Sequence, residues 1–317
     1  MTRLLTRSDL LSVLDIGSCI EVLRDGFRND DRIPAPGLRV RGDLPFPGTA
    51  TALMPGLLPG VEAYSVKINA KFPGALPALR GVICLHSGVD GSLLALMDSA
   101  TITAWRTGLA AALGTQLLTR VRCAAGDPVV GVVGAGAQAE LMVNGLRHFR
   151  DVRDLLVHDT NVDRAAAFVK RHGGRVAGSA AEIAQASDTV LLATWSREPL
   201  LGLADAHPGQ HFTTLGVDEP GKQELAADLL EASFLVVDDH GLAASTGVLA
   251  EAGGSSRVTA DASLGELLRR GRPNQEAPSG ITVYAPVGLP WQDLAVAWLA
   301  HQRAEANGLG RKVDLLS

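Results

Sequence analysis

Val129-Val-Gly-Val-Val-Gly-Ala-Gly-Ala-Gln-Ala-Glu140 runs from an apolar stretch straight into small residues through closely spaced glycines, the pattern of a buried strand turning directly into a helix. Gly134 permits the tight turn, Gly136 lets the backbone approach a pyrophosphate, and Ala139 keeps the helix close to the strand. The result is a G-x-G-x-x-A phosphate cradle on a helix N-terminus. Downstream, Leu155-Leu-Val-His-Asp159 reads as a second strand ending in an acid, about 20 residues beyond Ala139, the spacing of a carboxylate that binds a ribose 2′-hydroxyl. Asp159 there favours NAD over NADP, because a carboxylate repels a 2′-phosphate, and Thr160 and Asn161 bring no arginine to receive one. The other reading is a glycine-rich loop of a different α/β protein, with the acid serving as a helix cap.

Bulk properties narrow the class. A chain of 317 residues suggests two domains, and its net charge of −5 with 46% hydrophobic residues fits neither a nucleic-acid polycation nor a disordered tail. Aromatic residues make up 4%, so base stacking has little to work with, and no zinc-finger or RNP-type pattern occurs. Cys19, Cys84 and Cys123 are scattered, odd in number and without metal-ligand spacing, which points to reduced structural thiols and no metal. Charges interrupt the N-terminal segment before a signal-peptide core can form, and no uncharged apolar run reaches membrane-spanning length. A cytoplasmic location is expected.

The organisation changes twice along the chain. Thr6 to about Asn29 reads as one amphipathic helix, followed by Pro- and Gly-punctuated pieces to Gly60. Tyr64-Ser-Val-Lys-Ile-Asn-Ala-Lys71 alternates, with Tyr64, Val66, Ile68 and Ala70 on one face and Ser65, Lys67, Asn69 and Lys71 on the other. Gly81 to His86 and Ser92 to Met97 read as a hairpin, so the first part of the chain is expected to hold an antiparallel sheet. A helix from about Thr101 to Arg120 leads to the break at Gly126-Asp-Pro128. Strands then recur at Thr189 to Thr194, Phe212 to Val217, Phe234 to Asp238 and Ile281 to Tyr284, the alternation of a doubly wound domain. The loop Gly271 to Pro278 precedes the last of them, and Trp291 to Ala306 reads as a closing helix.

Outside the cradle, three residues have a chemical case. Arg106 is the only charged residue between Asp98 and Arg120, so it needs an anion, either a ligand or a structural acid such as Asp98, unless its head reaches solvent. Lys67 lies on the polar face of its strand, where a lysine is either solvated or functional. Asp218 follows a strand at its carboxyl end, where ligands bind in open α/β sheets, though an acid before Glu219-Pro-Gly221 also suits a turn. Gly216-Val-Asp-Glu-Pro-Gly-Lys-Gln223 mimics a P-loop but is rejected as one. Gln223 replaces the Mg²⁺-binding hydroxyl, Asp218 and Glu219 repel phosphate, and Pro220 lacks a donor.

Four segments in order carry a resemblance to a known family: Thr101-Ile-Thr-Ala-Trp-Arg-Thr107, Val132-Val-Gly-Ala-Gly-Ala-Gln-Ala139, Gly216-Val-Asp-Glu-Pro-Gly-Lys-Gln-Glu-Leu225 and Ile281-Thr-Val-Tyr-Ala-Pro-Val-Gly-Leu-Pro-Trp-Gln-Asp-Leu294. Over nearly its whole length the chain resembles the ornithine cyclodeaminase/μ-crystallin family. The resemblance implies an α/β fold with a Rossmann dinucleotide-binding domain, 121–289, inserted in an α+β substrate-binding and dimerisation domain, 1–120 plus 290–317. It implies a substrate carboxylate held by Arg39, Lys67 and Arg106, with Arg41 an alternative to Arg39, and catalytic roles for Asp218 and Lys67. The expected NAD contacts are Gly134, Gly136, Ala137, Gln138, Asp159, Thr160, Thr194, Val217 and Gly288. A homodimer is expected, since the first domain's strands expose edges that one chain cannot readily cover.

The implied activity is NAD(H)-dependent oxidoreduction at the C–N bond of a small amino or imino acid, of the amino acid dehydrogenase or ketimine reductase type. Two alternatives stand beside it: a redox-neutral cyclodeaminase making proline and ammonia from ornithine, and a μ-crystallin-like small-molecule binding protein. Ornithine cyclodeaminases resemble one another in an acid two residues before Met54-Pro55, suited to a distal amine; this chain has Ala52. The loop Lys71 to Arg80 is short, Trp105 stands where an aliphatic residue is typical, and Pro286 stands where serine is common. These departures weigh against ornithine more than against the fold or the cofactor.

Overall fold

The computed structural model describes the chain except for residues 34–38, 44–48, 54, 73–74, 76, 120–127, 216, 218–220, 253–256, 271–279 and 316–317, and for 39–43 and 49–53 it describes the backbone alone. Asp218, Cys123, the Gly126–Pro128 break and the Gly271–Pro278 loop therefore lie wholly or partly outside the described residues. In chain order, β1 (Thr2–Leu5), α1 (Arg7–Val13) and α2 (Ile16–Arg28) are followed by β2 (Arg39–Asp43), β3 (Thr49–Leu53), β4 (Ala63–Lys71), β5 (Leu79–Ser87), β6 (Leu93–Asp98) and α3 (Ser99–Leu118). The middle comprises β7 (Val130–Val133), α4 (Ala137–Phe149), β8 (Leu155–His158), α5 (Val162–His172), β9 (Arg175–Val176), α6 (Ala180–Ala186), β10 (Thr189–Leu192), β11 (His211–Thr214), α7 (Ala227–Glu231) and β12 (Phe234–Val237). The last elements are α8 (His240–Thr246), α9 (Val248–Glu251), β13 (Ala262–Ser263), α10 (Leu264–Arg270), β14 (Thr282–Tyr284), α11 (Pro290–Ala306) and β15 (Arg311–Val313).

Two compact units emerge, Met1–Thr107 with Leu289–Ser317, and Gly108–Gly288. The sequence reading set the first boundary at residue 120; the structure places it inside α3, whose second half packs within unit 2. A Cβ on Gly108 would lie 2.5 Å from that of Leu141, and one on Gly114 would lie 2.3 Å from the Tyr284 ring.

Unit 1 is built on a seven-stranded sheet ordered β15-β1-β6-β5-β4-β3-β2. Its neighbours pair antiparallel except β1 and β6, which run parallel. The β5–β6 hairpin is as expected, whereas β1 and β15 are short end strands that composition did not mark. The single N-terminal helix expected from Thr6 to Asn29 is two helices. Asp15 breaks it by accepting the backbone N–H of Ser18 as the N-cap of α2, with Leu14 extended before it. Helix α11 is buried along most of its length, including Trp291, which packs edge-on against Phe27 with ring centroids 4.9 Å apart.

Strand β4 reverses the usual sense of an alternating strand. Its polar positions Ser65, Lys67 and Asn69 face inward and are buried, whereas Tyr64 and Val66 are half-buried and Ile68 is 50% exposed. The cross-strand neighbours continue that apolar face: Ile68 pairs with Val82, which is 41% exposed, Val66 with Cys84, and Cys84 with Leu96.

Unit 2 is an eight-stranded sheet ordered β13-β12-β14-β11-β10-β7-β8-β9, parallel throughout. Its central strands β7, β10 and β11 are buried at every position, as expected of strands covered on both faces. Chain order runs outward from β7 through β8 to β9 on one side and from β10 through β11 on the other. The switch point between β7 and β10 is therefore where a crevice opens at the carboxyl ends of the strands.

Candidate functional site

In unit 2 the glycine turn sits at that switch point. Gly134 has φ +92°, a conformation that L side chains rarely adopt, and a Cβ there would lie 2.7 Å from the carbonyl oxygen of Ala193 on the loop after β10. Gly136 is the N-cap of α4 without a side-chain cap, and a Cβ there would meet nothing within 4 Å. The first-turn N–H groups of α4 thus open onto space, with Ala137 exposed, Gln138 half-buried and Ala139 buried against the sheet. That arrangement fits a diphosphate, which needs unsatisfied donors and no side chain in the way.

Asp159 closes the same edge. It is 7% exposed and accepts the backbone N–H groups of Ala135 at 2.9 Å and Asn161 at 2.8 Å. It thereby braces the glycine turn against the β8–α5 turn, and Arg164 Nη1 stands 3.5 Å from both its oxygens. Thr160 is exposed. Thr194 gives its backbone N–H and its hydroxyl to Glu224 Oε1, each at 2.6 Å. Thr214 gives its hydroxyl to Glu224 Oε2 at 2.6 Å, so this fully buried acid ties the ends of β10 and β11 together. Val217 is buried, and Gly288, at φ +97°, donates its N–H to Asp238. Asp218 lies outside the described residues.

In unit 1 a second cluster of charge forms under α11. Lys67, on the inward face of β4, places Nζ 2.6 Å from Asp293 Oδ2 and 3.4 Å from the Thr103 hydroxyl. Arg106, on the first half of α3, places Nε 3.3 Å from Asp293 Oδ1 and Nη1 3.3 Å from Gln292 Oε1. Lys67 and Arg106 are 4% and 6% exposed, so the solvated reading of Lys67 does not hold. Asp98 is not the partner of Arg106; it caps α3 through the N–H and hydroxyl of Thr101. The sequence reading missed Asp293, although the signal that marked Arg106 was there too: it is the lone acid in the first three turns of an apolar helix.

Burial pushes the Asp293 carboxyl up, but the Lys67 and Arg106 charges and hydrogen bonds outweigh it and hold the group below its ordinary value. The three side chains thus carry two positive charges and one negative. Nearby, Gln292 Nε2 and Thr107 Oγ1 are buried with no hydrogen-bond partner among the described residues. Buried donors left in that state beside a net positive charge suit a polar anionic ligand. Of the expected third cation, only backbone position is described: Arg39 pairs with Leu53 and Arg41 with Thr51, which pairs with Asn69 of β4. No group of metal-ligating side chains occurs among the described residues, and no helix among them is long and apolar enough to cross a membrane.

The model of the ornithine cyclodeaminase/mu-crystallin family matches residues 4–308. The chain is 28% identical to the alanine dehydrogenase of Archaeoglobus fulgidus, over 98% of each chain. It is 30% identical to the L-lysine cyclodeaminase of Streptomyces rapamycinicus, over 91% of this chain and 84% of that one. Among solved structures, the Δ1-pyrroline-2-carboxylate reductase of Thermococcus litoralis, in complex with NADH and L-proline, superposes with a TM-score of 0.88. That match has 28% identity and covers 98% of this chain and 100% of the other.

Proposed function

The chain belongs to the ornithine cyclodeaminase/mu-crystallin family, and from that premise we propose that it is an NAD(H)-dependent oxidoreductase acting on the C–N bond of a small amino or imino acid. The observation that carries this reading is the pairing, in one chain, of a diphosphate cradle at Gly134–Ala139 with a buried cation pair, Lys67 and Arg106, only partly neutralised by Asp293. The relatives act on such substrates, by their names alanine dehydrogenase and pyrroline-carboxylate reductase.

Bound NAD supplies a hydride acceptor, so that amino acid and NAD⁺ give imino acid, NADH and a proton. Lys67 and Arg106, with Arg39 as the third cation, hold the substrate carboxylate and fix which carbon faces the reaction. Asp293 holds the two cations in place against their mutual repulsion, and Gln292 orients the Arg106 guanidinium through its Oε1. Asp218 exchanges a proton with the substrate nitrogen and stabilises positive charge there. The diphosphate rests on the N–H groups of Gly136, Ala137 and Gln138, Asp159 takes a ribose hydroxyl, and Thr160, Thr194, Val217 and Gly288 line the remainder. The free thiols of Cys19 and Cys84 suit a reducing cytoplasm. The outward apolar face around Ile68 and Val82 supports a homodimer.

The lysine cyclodeaminase relative favours a second reading, cyclodeamination with no net redox change, while Ala52 weighs against it for a diamino acid. A panel of amino, imino and keto acids, followed at the NADH absorbance band together with ammonia release, separates the readings. A net change in NADH is expected. Ammonia without it moves the protein to the cyclodeaminases, and bound dinucleotide without any turnover moves it to the binding proteins.

A further inference from the structure

We propose that Asn69 reads the substrate's side chain: its amide donates to an oxygen there, which makes the preferred substrate an amino or imino acid with a second carboxylate. This inference rests on the carboxylate site of the reading given above and names the substrate class of that same site. Ser65, Lys67 and Asn69 share the inward face of β4. Asn69 therefore stands two residues, about 6.7 Å, along the strand from the lysine assigned to the α-carboxylate. It is 8% exposed. Ser99, the first residue of α3, donates its hydroxyl to Asn69 Oδ1 across Gly81, the residue opposite Asn69 on β5. A Cβ on Gly81 would lie 2.6 Å from that oxygen, so a side chain there would displace the amide.

With Oδ1 held by Ser99, the amide is left to present Nδ2, which has no hydrogen-bond partner among the described residues. A buried donor in that state is matched by an acceptor on a ligand and repels an ammonium group. Asn69 itself thus disfavours a distal amine, independently of Ala52. Strand pairing adds the charge. Arg39 pairs with Leu53, one step beyond the Ala52–Ile68 pair and so level with Lys67, whereas Arg41 pairs with Thr51, which pairs with Asn69. The two arginine positions therefore fall in two rows, one level with the lysine and one in line with the amide. A short acid with a carboxylate at each end spans two such rows, the first carboxylate on Lys67 and Arg106 and the second on Asn69. A plain alkyl side chain leaves the Asn69 donor unsatisfied, the costlier arrangement.

The test uses the full-length protein with NADH bound, titrated calorimetrically with L-aspartate, L-glutamate, L-norvaline and L-ornithine. NAD⁺-dependent oxidation of the same four is followed in parallel at the NADH band. The unmodified protein is expected to favour one of the two dicarboxylates over norvaline by about tenfold or more, in binding and in kcat/KM. Asn69→Leu, of similar volume, should lower that ratio about tenfold, and Asn69→Asp, of the same shape, should lower it further by repulsion. Because the ratio compares substrates within one variant, a general loss of folded protein does not move it. A ratio unmoved by both substitutions overturns the inference, as does an unmodified protein that prefers norvaline or ornithine. Dicarboxylate binding that depends on Asn69 but leads to no turnover overturns the oxidoreductase reading and supports the inference; binding of none of the four overturns the inference itself.

Discussion

Replacing Asp293 by asparagine keeps the shape of the side chain and removes the negative charge held between Lys67 and Arg106. The contacts at stake are 2.6 Å to Lys67 and 3.3 Å to Arg106, all three groups being 8% exposed or less at the side chain. Removing one partner from such a buried set leaves uncompensated charge and costs about 3–5 kcal/mol. The asparagine carbonyl still accepts one hydrogen bond, so the lower figure applies, about 3 kcal/mol, or roughly 6–12 °C of melting temperature for a unit of this size. The sign with pH follows from the direction of the Asp293 shift. A carboxyl held below its ordinary 3.8 contributes fully above that value and loses the contribution as pH falls through the lower folded-state pKa. Denaturant unfolding at neutral pH and along the acid limb reads both effects: the unmodified protein should lose stability on acidification that Asp293→Asn has already lost. A double-mutant cycle with Lys67→Met isolates the pair, with a coupling of about 1–3 kcal/mol expected. A stability change under about 0.5 kcal/mol for Asp293→Asn, the size typical of inert surface positions, would refute the charge-neutralising role.

Asp218→Asn should cut turnover by about 100-fold or more, the scale of a lost general acid–base group, while leaving NADH titration unchanged; turnover near that of the unmodified enzyme would remove Asp218 from the chemistry. Ile68→Asp, placed in the middle of the outward apolar face, should convert the dimer to a monomer by light scattering at micromolar concentration, and an unmodified protein that is already monomeric contradicts the assembly proposed.

The sequence was most legible where backbone geometry admits few residues. Gly134 at φ +92° under the Ala193 carbonyl leaves little choice of side chain, so the turn shows in the letters themselves. Alternation in β4 likewise revealed two faces. It did not reveal which face meets water, because that depends on what α11 and α3 bring to the inner side. Spacing alone leaves Lys67 either solvated or functional for that reason, and its partner Asp293 lies 226 residues away, a distance across which periodicity carries no information. The short strands β1 and β15 were missed because three or four residues cannot establish a period. The N-terminal helix reads as one because its apolar spacing continues across Asp15, whose capping role rests on the backbone N–H that Ser18 donates to it.

A sheet that turns its lysine inward and its isoleucine outward gives unit 1 one side filled from within the chain and an apolar side that is left exposed. Mass action then enters the stability of the chain. In the proposed dimer the outer side is covered at high protein concentration and the folded state gains the free energy of association; on dilution that gain shrinks by a term logarithmic in concentration, with no bond inside the protomer changed. Melting temperatures taken at nanomolar and at tens of micromolar protein should therefore differ if that dimer forms, and identical values at the two concentrations would contradict it.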